Sequence, residues 1–389
     1  MTRSKTLPLV ALASGTLGLG IAEFVMMGIL PAVSSSLSIN IAQAGHCISA
    51  YALGVCIGAP LTALIASDRP LRRVLVALMV IFVVGHTMAG LARSYHALMI
   101  ARVVSGLPHG AFFGVGSIVV ERLSDRNKAT QSMAIMIAGM TVANVVGVPL
   151  GTWLSTAVSW RLIFFLTAAW GLLTLIAIAL FVPHEEPLPE VGLRGQFRFA
   201  RHASALYIIV ATMFANGGIF CWYSYVLPQM YAEAHMSPDY RTWLMTLAGI
   251  GMVVGNLLGG YLTSRFPAAR TGMKLQICAV FMLVLMSLSM SSLWLSATLT
   301  FVLTGLLFSF SPAQQMLILE HAHGAKMMAA AFIQIAFNFG NAVGAYLGGL
   351  PIDAGLGYRY SPLIGAAMVS LGALSMFLFV RHRSALARQ

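Results

Sequence analysis

Long apolar stretches dominate this chain, and each is long enough to cross a lipid bilayer. A helix rising 1.5 Å per residue needs about 20 residues to cross a hydrocarbon core of about 30 Å. Runs of roughly that length recur from end to end, separated by short polar breaks. They fall at about 7–31, 44–67, 73–92, 96–120, 129–156, 161–182, 204–232, 241–264, 272–291, 294–319, 327–352 and 360–380. In lipid the backbone donors and acceptors must be satisfied within each segment, which leaves helices as the fitting structure for such runs. Only 9% of the 389 residues are charged, too few to coat a water-facing surface of this size. The mean hydropathy of +0.85 agrees. The sequence therefore predicts an all-α membrane protein with twelve transmembrane helices. The first run is longer than a signal-peptide core and has no small-residue cleavage site at its end, so no cleaved leader is expected.

The net charge of +12 is a matter of placement. With the amino terminus in the cytoplasm, all but five of the 23 Lys and Arg fall in or beside cytoplasmic loops. The exceptions are Arg93, Arg161, Arg241 and Arg359 outside, and Arg102 within a span. That bias follows the positive-inside rule and predicts both termini inside, with no nucleic-acid partner needed to explain the charge. Cys47, Cys56, Cys221 and Cys278 lie in apolar stretches without a CxxC pair and read as small buried hydrophobes. No helical His/Asp/Glu cluster supports a metal. Neither a Walker sequence nor a nucleophile–base arrangement points to an enzyme.

The longest polar stretch, 183–203, lies between the sixth and seventh spans. It predicts an amino-terminal six-helix bundle over 1–182, a cytoplasmic linker over 183–203 and a carboxy-terminal six-helix bundle over 204–389. A shift of 198 residues lays Gly151 on Gly349 and Arg161 on Arg359. Two pseudo-symmetric bundles of this kind are the pattern of secondary transporters, whose substrate site lies between the halves near mid-membrane.

Glu23 stands inside the first span, where an unpaired carboxylate costs several kcal/mol. It is about 24 Å from the cytoplasmic start of its helix, and Arg102 is about 9 Å in from the outer start of the fourth span, at helical rise. Both belong to the outer half of the bilayer, at depths that permit a pair, directly or through water. Desolvation favours the neutral acid and a nearby guanidinium favours the carboxylate. That competition suits Glu23 to loading and releasing a proton; a static ion pair that orients helices is the simpler alternative. His109 in the fourth span has a side chain able to relay a proton, or equally to stay neutral beside Pro108. Amides and aromatic rings inside the spans are candidates for a substrate cavity: Asn144, Asn216, Trp222, Tyr223, Tyr225, Asn256, Gln314, Gln315, Gln334, Asn338 and Asn341. Gln334, Asn338 and Asn341 share one helix face. Such a wall suits a neutral polyhydroxylated or amphipathic ligand, and the same groups serve equally for bonding between helices.

Three local patterns coincide. The loop LIASDRPLRRVL at 64–75, the segment LMIARVVSGLPHGAFFG at 98–114 and the run GMTVANVVGVPLGTW at 139–153 together resemble signatures of the major facilitator superfamily. With AEFVMMGILP and QIAFNFGNAVGAYLGG, they resemble the sugar-efflux type of permease in its twelve-span drug:proton antiporter group. The resemblance implies a charge latch at Asp68, Arg69, Arg72 and Arg73, with Leu64 and Leu71 standing where the family pattern has glycines. It implies that Gly147, Pro149 and Gly151 form the antiporter motif that helps govern switching, and that Arg102 and Gly106 carry the fourth-span element. The function expected is proton-coupled export of sugars or drug-like molecules from the bacterial cytoplasmic membrane. The proton gradient would be the energy source, with no cofactor, and the protein would be a monomer. Proton-driven uptake, or a sensor without transport, remain the alternatives.

Overall fold

The computed structural model describes residues 6–65, 69–124, 129–185, 202–321 and 326–386. Asp68 and most of the expected linker at 183–203 lie outside the described residues. Every regular element among the described residues is helical. We number them α1 (Thr6–Leu37), α2 (Ile41–Ile65), α3 (Leu71–Leu91), α4 (Tyr95–Leu123), α5 (Ala129–Val142), α6 (Val148–Leu154), α7 (Trp160–Phe181), α8 (Ala203–Tyr223), α9 (Val226–Ala232), α10 (Arg241–Arg265), α11 (Ala268–Ser289), α12 (Leu293–Glu320), α13 (Lys326–Asp353) and α14 (Tyr360–Leu386). Two π-helical turns, Ala143–Gly147 and Ser155–Ser159, join α5 to α6 and α6 to α7.

Ten stretches among the described residues are long and apolar enough to span a membrane. One of them, Gln131–Phe181, has 51 residues, about 77 Å at helical rise and more than twice the hydrocarbon core. It turns back at Ser159, whose backbone is extended (φ −169°, ψ 142°) and whose hydroxyl accepts from the Arg161 N–H at 3.2 Å. That serine cap restarts the helix as α7 and divides the stretch into two passes. The 28-residue α13 is also long enough to cross the bilayer.

Helix pairing shows the internal repeat. In the first half α2 packs on α4, α3 on α4 and α7, and α1 on α5 and α7. In the second half α10 packs on α12, α11 on α12 and α14, and α8 on α13 and α14. Each pair in one half has its counterpart in the other. Small residues let the backbones approach: a Cβ at Gly58 would strike Leu107 of α4, and one at Gly255 would strike Gly305 of α12. The contacts correct the expected offset. Gly147 and Gly151 face Ile21 and Val25 of α1, while Gly344 and Gly348 face Gly217 and Cys221 of α8. The partner of Gly151 is thus Gly348, and Gly349 turns away to meet Tyr225 and Ala42.

The halves meet along two seams, α2 against α13, and α10 against α6 and the first π turn. On the α2–α13 seam, Ala42 lies against Gly349, the Ser49 hydroxyl donates to Ala342 O at 2.8 Å, and Cys56 Sγ contacts Ile335 O at 3.6 Å. The steps are seven residues on both helices in opposite directions, so one narrow stripe of mostly small side chains makes an antiparallel seam. At the end of the bundle opposite the chain termini, Asn40 Nδ2 donates to Asp353 Oδ1 at 2.8 Å and ties the halves together.

Candidate functional site

The buried polar groups of the first half converge where α1, α2 and α4 cross. Arg102 is fully buried on α4. Its Nε donates to Cys47 O at 3.2 Å and one Nη donates to Ala22 O at 2.9 Å. Its guanidinium carbon lies 4.3 Å from the centre of the Tyr51 ring and 6.0 Å from that of Phe164. A guanidinium in lipid-depth protein needs such partners, because desolvating it unpaired is costly. The other Nη has no partner. Arg102 therefore clamps the backbones of α1 and α2, and no ion pair joins it to Glu23 among the described residues. Glu23 is the next residue after the carbonyl that Arg102 holds.

The Glu23 carboxylate has a different set of neighbours. Its side chain is 11% exposed, and Oε2 lies 3.7 Å from His109 Nε2. That separation is an ion-pair distance but too long for a hydrogen bond. His109 Nδ1 is 2.9 Å from the Tyr51 hydroxyl. On the other side, Asn341 Nδ2 of α13 donates to Glu23 Oε1 at 3.4 Å. Tyr51, His109, Glu23 and Asn341 thus form a line that leaves the first half and ends on the second. Chemically the line is reversible. With Tyr51 donating to Nδ1, the Nε2–H faces the carboxylate; with Nδ1–H donating to Tyr51, the Nε2 lone pair faces a protonated acid. Proton transfer needs the 3.7 Å gap to close or a water to bridge it.

Phe24 fixes the depth of this junction. Its ring centre lies 6.2 Å from that of Phe220 on α8 and 5.8 Å from that of Phe308 on α12. The apolar cluster around it runs through both halves, so Glu23 sits at the seam.

The remaining cavity candidates separate by place. Asn216 Nδ2 donates to Thr212 O at 2.9 Å and reaches Gln314 Oε1 at 3.4 Å, while Gln314 Nε2 is buried without a partner. Asn338 Nδ2 donates to Gln334 O at 3.0 Å, and the Oδ1 atoms of Asn338 and Asn341 are buried without partners. These amides from α8, α12 and α13 leave unused donors and acceptors in the second half. Gln315 is exposed and bonds Ser311 of its own helix at 2.7 Å, Gln334 is half-buried, and Asn256 is half-buried on α10. Trp222, Tyr223 and Tyr225 are packed in the apolar cluster. The Tyr225 hydroxyl donates to Ala345 O at 2.7 Å, so it braces α13.

Asn144 stands on the other seam, where its backbone carbonyl faces Gly249 of α10. In the π turn the Val148 N–H goes to Ala143 O, and Pro149 has no N–H to give. The proline thereby turns the Asn144 carbonyl toward the opposite half, and only a glycine at 249 leaves room for it. At the terminal end, Arg72 reaches Val182 O at 3.5 Å, Leu71 N–H reaches Glu185 O at 3.3 Å, and Arg122 lies 3.6 Å from Glu185. Arg69 and Arg73 are exposed there. Tyr51, Phe24 and Phe308 did not stand out in the sequence, since single aromatic residues are common in membrane helices. A buried tyrosine in the outer half of α2 was the available signal.

Two repeats of the same helix pairing, meeting at a buried polar seam, define a membrane carrier. The profile of the Major Facilitator Superfamily matches residues 12–225 and 208–389. The chain belongs to that family and is a multi-pass membrane transporter, not an enzyme. It is 42% identical to the protein AraJ of Escherichia coli (strain K12), over 96% of this chain and 95% of that one. It is 27% identical to a Mannheimia succiniciproducens protein described as "Probable sugar efflux transporter", over 92% of this chain and 89% of that one. Its fold is similar to the crystal structure of a bacterial homolog of the human lysosomal transporter Spinster, inward-facing and unoccupied. The TM-score is 0.76 and 98% of both chains is covered, at 16% identity.

Proposed function

We propose that this protein is a proton-coupled secondary transporter that exports small organic molecules, sugars or drug-like compounds, by alternating access. One observation carries the proposal: the Glu23 carboxylate lies at the seam, between His109 of its own half and Asn341 of the other. A group so placed changes its surroundings whenever the halves move, and its protonation free energy changes with them. Glu23 holds the proton, His109 passes it, Tyr51 orients the imidazole and Arg102 anchors α1 and α2 around them. The unpaired amide atoms of Gln314, Asn338 and Asn341 supply donors and acceptors to a neutral, hydroxyl-bearing cargo. A buried amide left unpaired without its ligand favours cargo that completes it.

The end bearing the termini faces the cytoplasm, the halves are the bundles 1–182 and 204–389, and the protein works as a monomer in the bacterial cytoplasmic membrane. No cofactor takes part; the proton gradient drives the cycle. The kinship with a sugar-efflux protein and the antiporter motif favour export. In proteoliposomes, a candidate sugar gradient should drive proton movement in the opposite direction, and Glu23→Gln should abolish it. Coupled proton movement undiminished in Glu23→Gln removes the proton site. Sugar accumulation driven with the proton gradient reverses the direction.

A further inference from the structure

We infer that Asn341 is a latch that holds the empty, ionised carrier in the closed-seam arrangement and lets the proton-loaded carrier go. The inference rests on Glu23 as the proton site and adds the means by which its charge controls movement. Asn341 is on α13, 6% exposed, and its amide donates to the Glu23 carboxylate across the seam. Its place in the second half is set by the backbone around it: Ala345 O accepts from Tyr225, and Gly340 and Gly344 press on α8; the Ser49–Ala342 bond crosses the same seam beside it. The side chain therefore moves with the second half, while Glu23 moves with the first.

A bond to an ionised carboxylate is roughly twice as strong as one between neutral groups. Ionised Glu23 holds Asn341 through its Nδ2–H and resists separation of α13 from α1. Protonated Glu23 is a weaker acceptor. It keeps a neutral bond by donating its own O–H to the Asn341 Oδ1, which is buried without a partner, once the amide turns over. Cargo with hydroxyl groups competes for the same amide and loosens it too. Proton-loaded and cargo-loaded carriers then switch, and the empty ionised carrier does not. That rule prevents futile cycling and is the condition for tight exchange. The titratable or charged groups facing Glu23 are Tyr51 on α2 and Arg102 and His109 on α4, and from α13 the facing group is the neutral amide of Asn341.

The test follows the far end of the bundle without cargo, so a defect in cargo binding does not enter. Spin labels at Ser35 and Leu356, both exposed at that end, report the distance between the halves. On the full-length protein in nanodiscs, acidification should lengthen that distance in the unmodified chain. Asn341→Leu and Asn341→Ala should lose the pH response and populate the longer distance at every pH. Asn341→Gln, which keeps both amide functions, should recover part of it. A pH response retained in both Asn341→Leu and Asn341→Ala, or absent from the unmodified chain, overturns the latch. Glu23→Gln is scored separately: a pH response that survives this change overturns the proton site itself and points to His109.

Discussion

Removing one hydroxyl, with Tyr51→Phe, isolates the contribution of the relay. The change deletes the 2.9 Å bond to His109 Nδ1 and leaves the ring in place beneath Arg102, 4.3 Å away. A phenylalanine face attracts a guanidinium much as a tyrosine face does. The clamp on α1 and α2, made to backbone carbonyls, is also untouched. His109 is 2% exposed, so its Nδ1 has no water to replace the lost partner. An orphaned buried donor or acceptor costs about 1–3 kcal/mol, and the imidazole is then free to turn away from the carboxylate. If that cost falls on the proton-transfer step, the coupled rate drops about 5- to 150-fold, since each 1.36 kcal/mol is a factor of ten. The assay is cargo-driven proton flux in proteoliposomes, run beside cargo binding and thermal unfolding. Flux should fall while binding holds within about twofold. A lower melting temperature with flux unchanged would refute the argument and leave the Tyr51–His109 bond a purely structural tie.

Four further outcomes follow from other contacts. Gly249→Val should force α10 off the Asn144 carbonyl, which a Cβ would overlap, and shift spin-label distances between the halves while each half stays folded; unchanged distances count against this pivot. Pro149→Ala supplies an N–H for the Val145 carbonyl four residues back and removes the ring that blocks it, so the π turn at Ala143–Gly147 should relax to α-helix, Gly147 and Gly151 should rotate off α1, and transport should drop; a structure of the variant that keeps the π turn contradicts this. Asp353→Ala removes the 2.8 Å bond to Asn40, worth about 0.5–1.5 kcal/mol, and should raise the population with the far end open by about 2- to 12-fold in distance measurements. Gln276 is fully buried with both amide atoms unpartnered, so Gln276→Leu should raise stability by about 1–3 kcal/mol and the melting temperature by several degrees, with transport intact; a fall in melting temperature means that the amide is satisfied in the membrane.

Much of the fold was legible because lipid is a severe solvent. Apolar runs of about 20 residues have few alternatives to spanning helices, and short polar breaks mark where they turn. The fifth and sixth spans, read as separate at 129–156 and 161–182, meet in one helical stretch that reverses at Ser159. The repeat was visible in its approximate length, but its offset was off by one at Gly151. Sequence identity of glycines cannot distinguish Gly348, which touches α8, from Gly349, which touches Tyr225 and Ala42.

The site was legible residue by residue and not in its connections. Depth arithmetic placed Glu23 and Arg102 in the same half of the bilayer. Neighbouring residues on a helix differ by 1.5 Å in rise but about 100° in direction, so depth alone could not say that Arg102 holds the carbonyl of Ala22 while Glu23 looks toward His109. The π turn was equally hidden: a proline is plain in the sequence, whereas the choice between a kink and a widened turn depends on α10 lying against it.

Composition and pattern by themselves determined a helical membrane protein with a carboxyl group held at lipid depth, because burying a charge is costly enough to show in any fold. Only tertiary structure decided that this carboxyl lies at the seam and that an amide 318 residues further along the chain reaches it. The physical reason is that solvation acts on each residue alone, while a hydrogen bond needs two groups brought within about 3.5 Å, and that proximity is created by how the two halves pack.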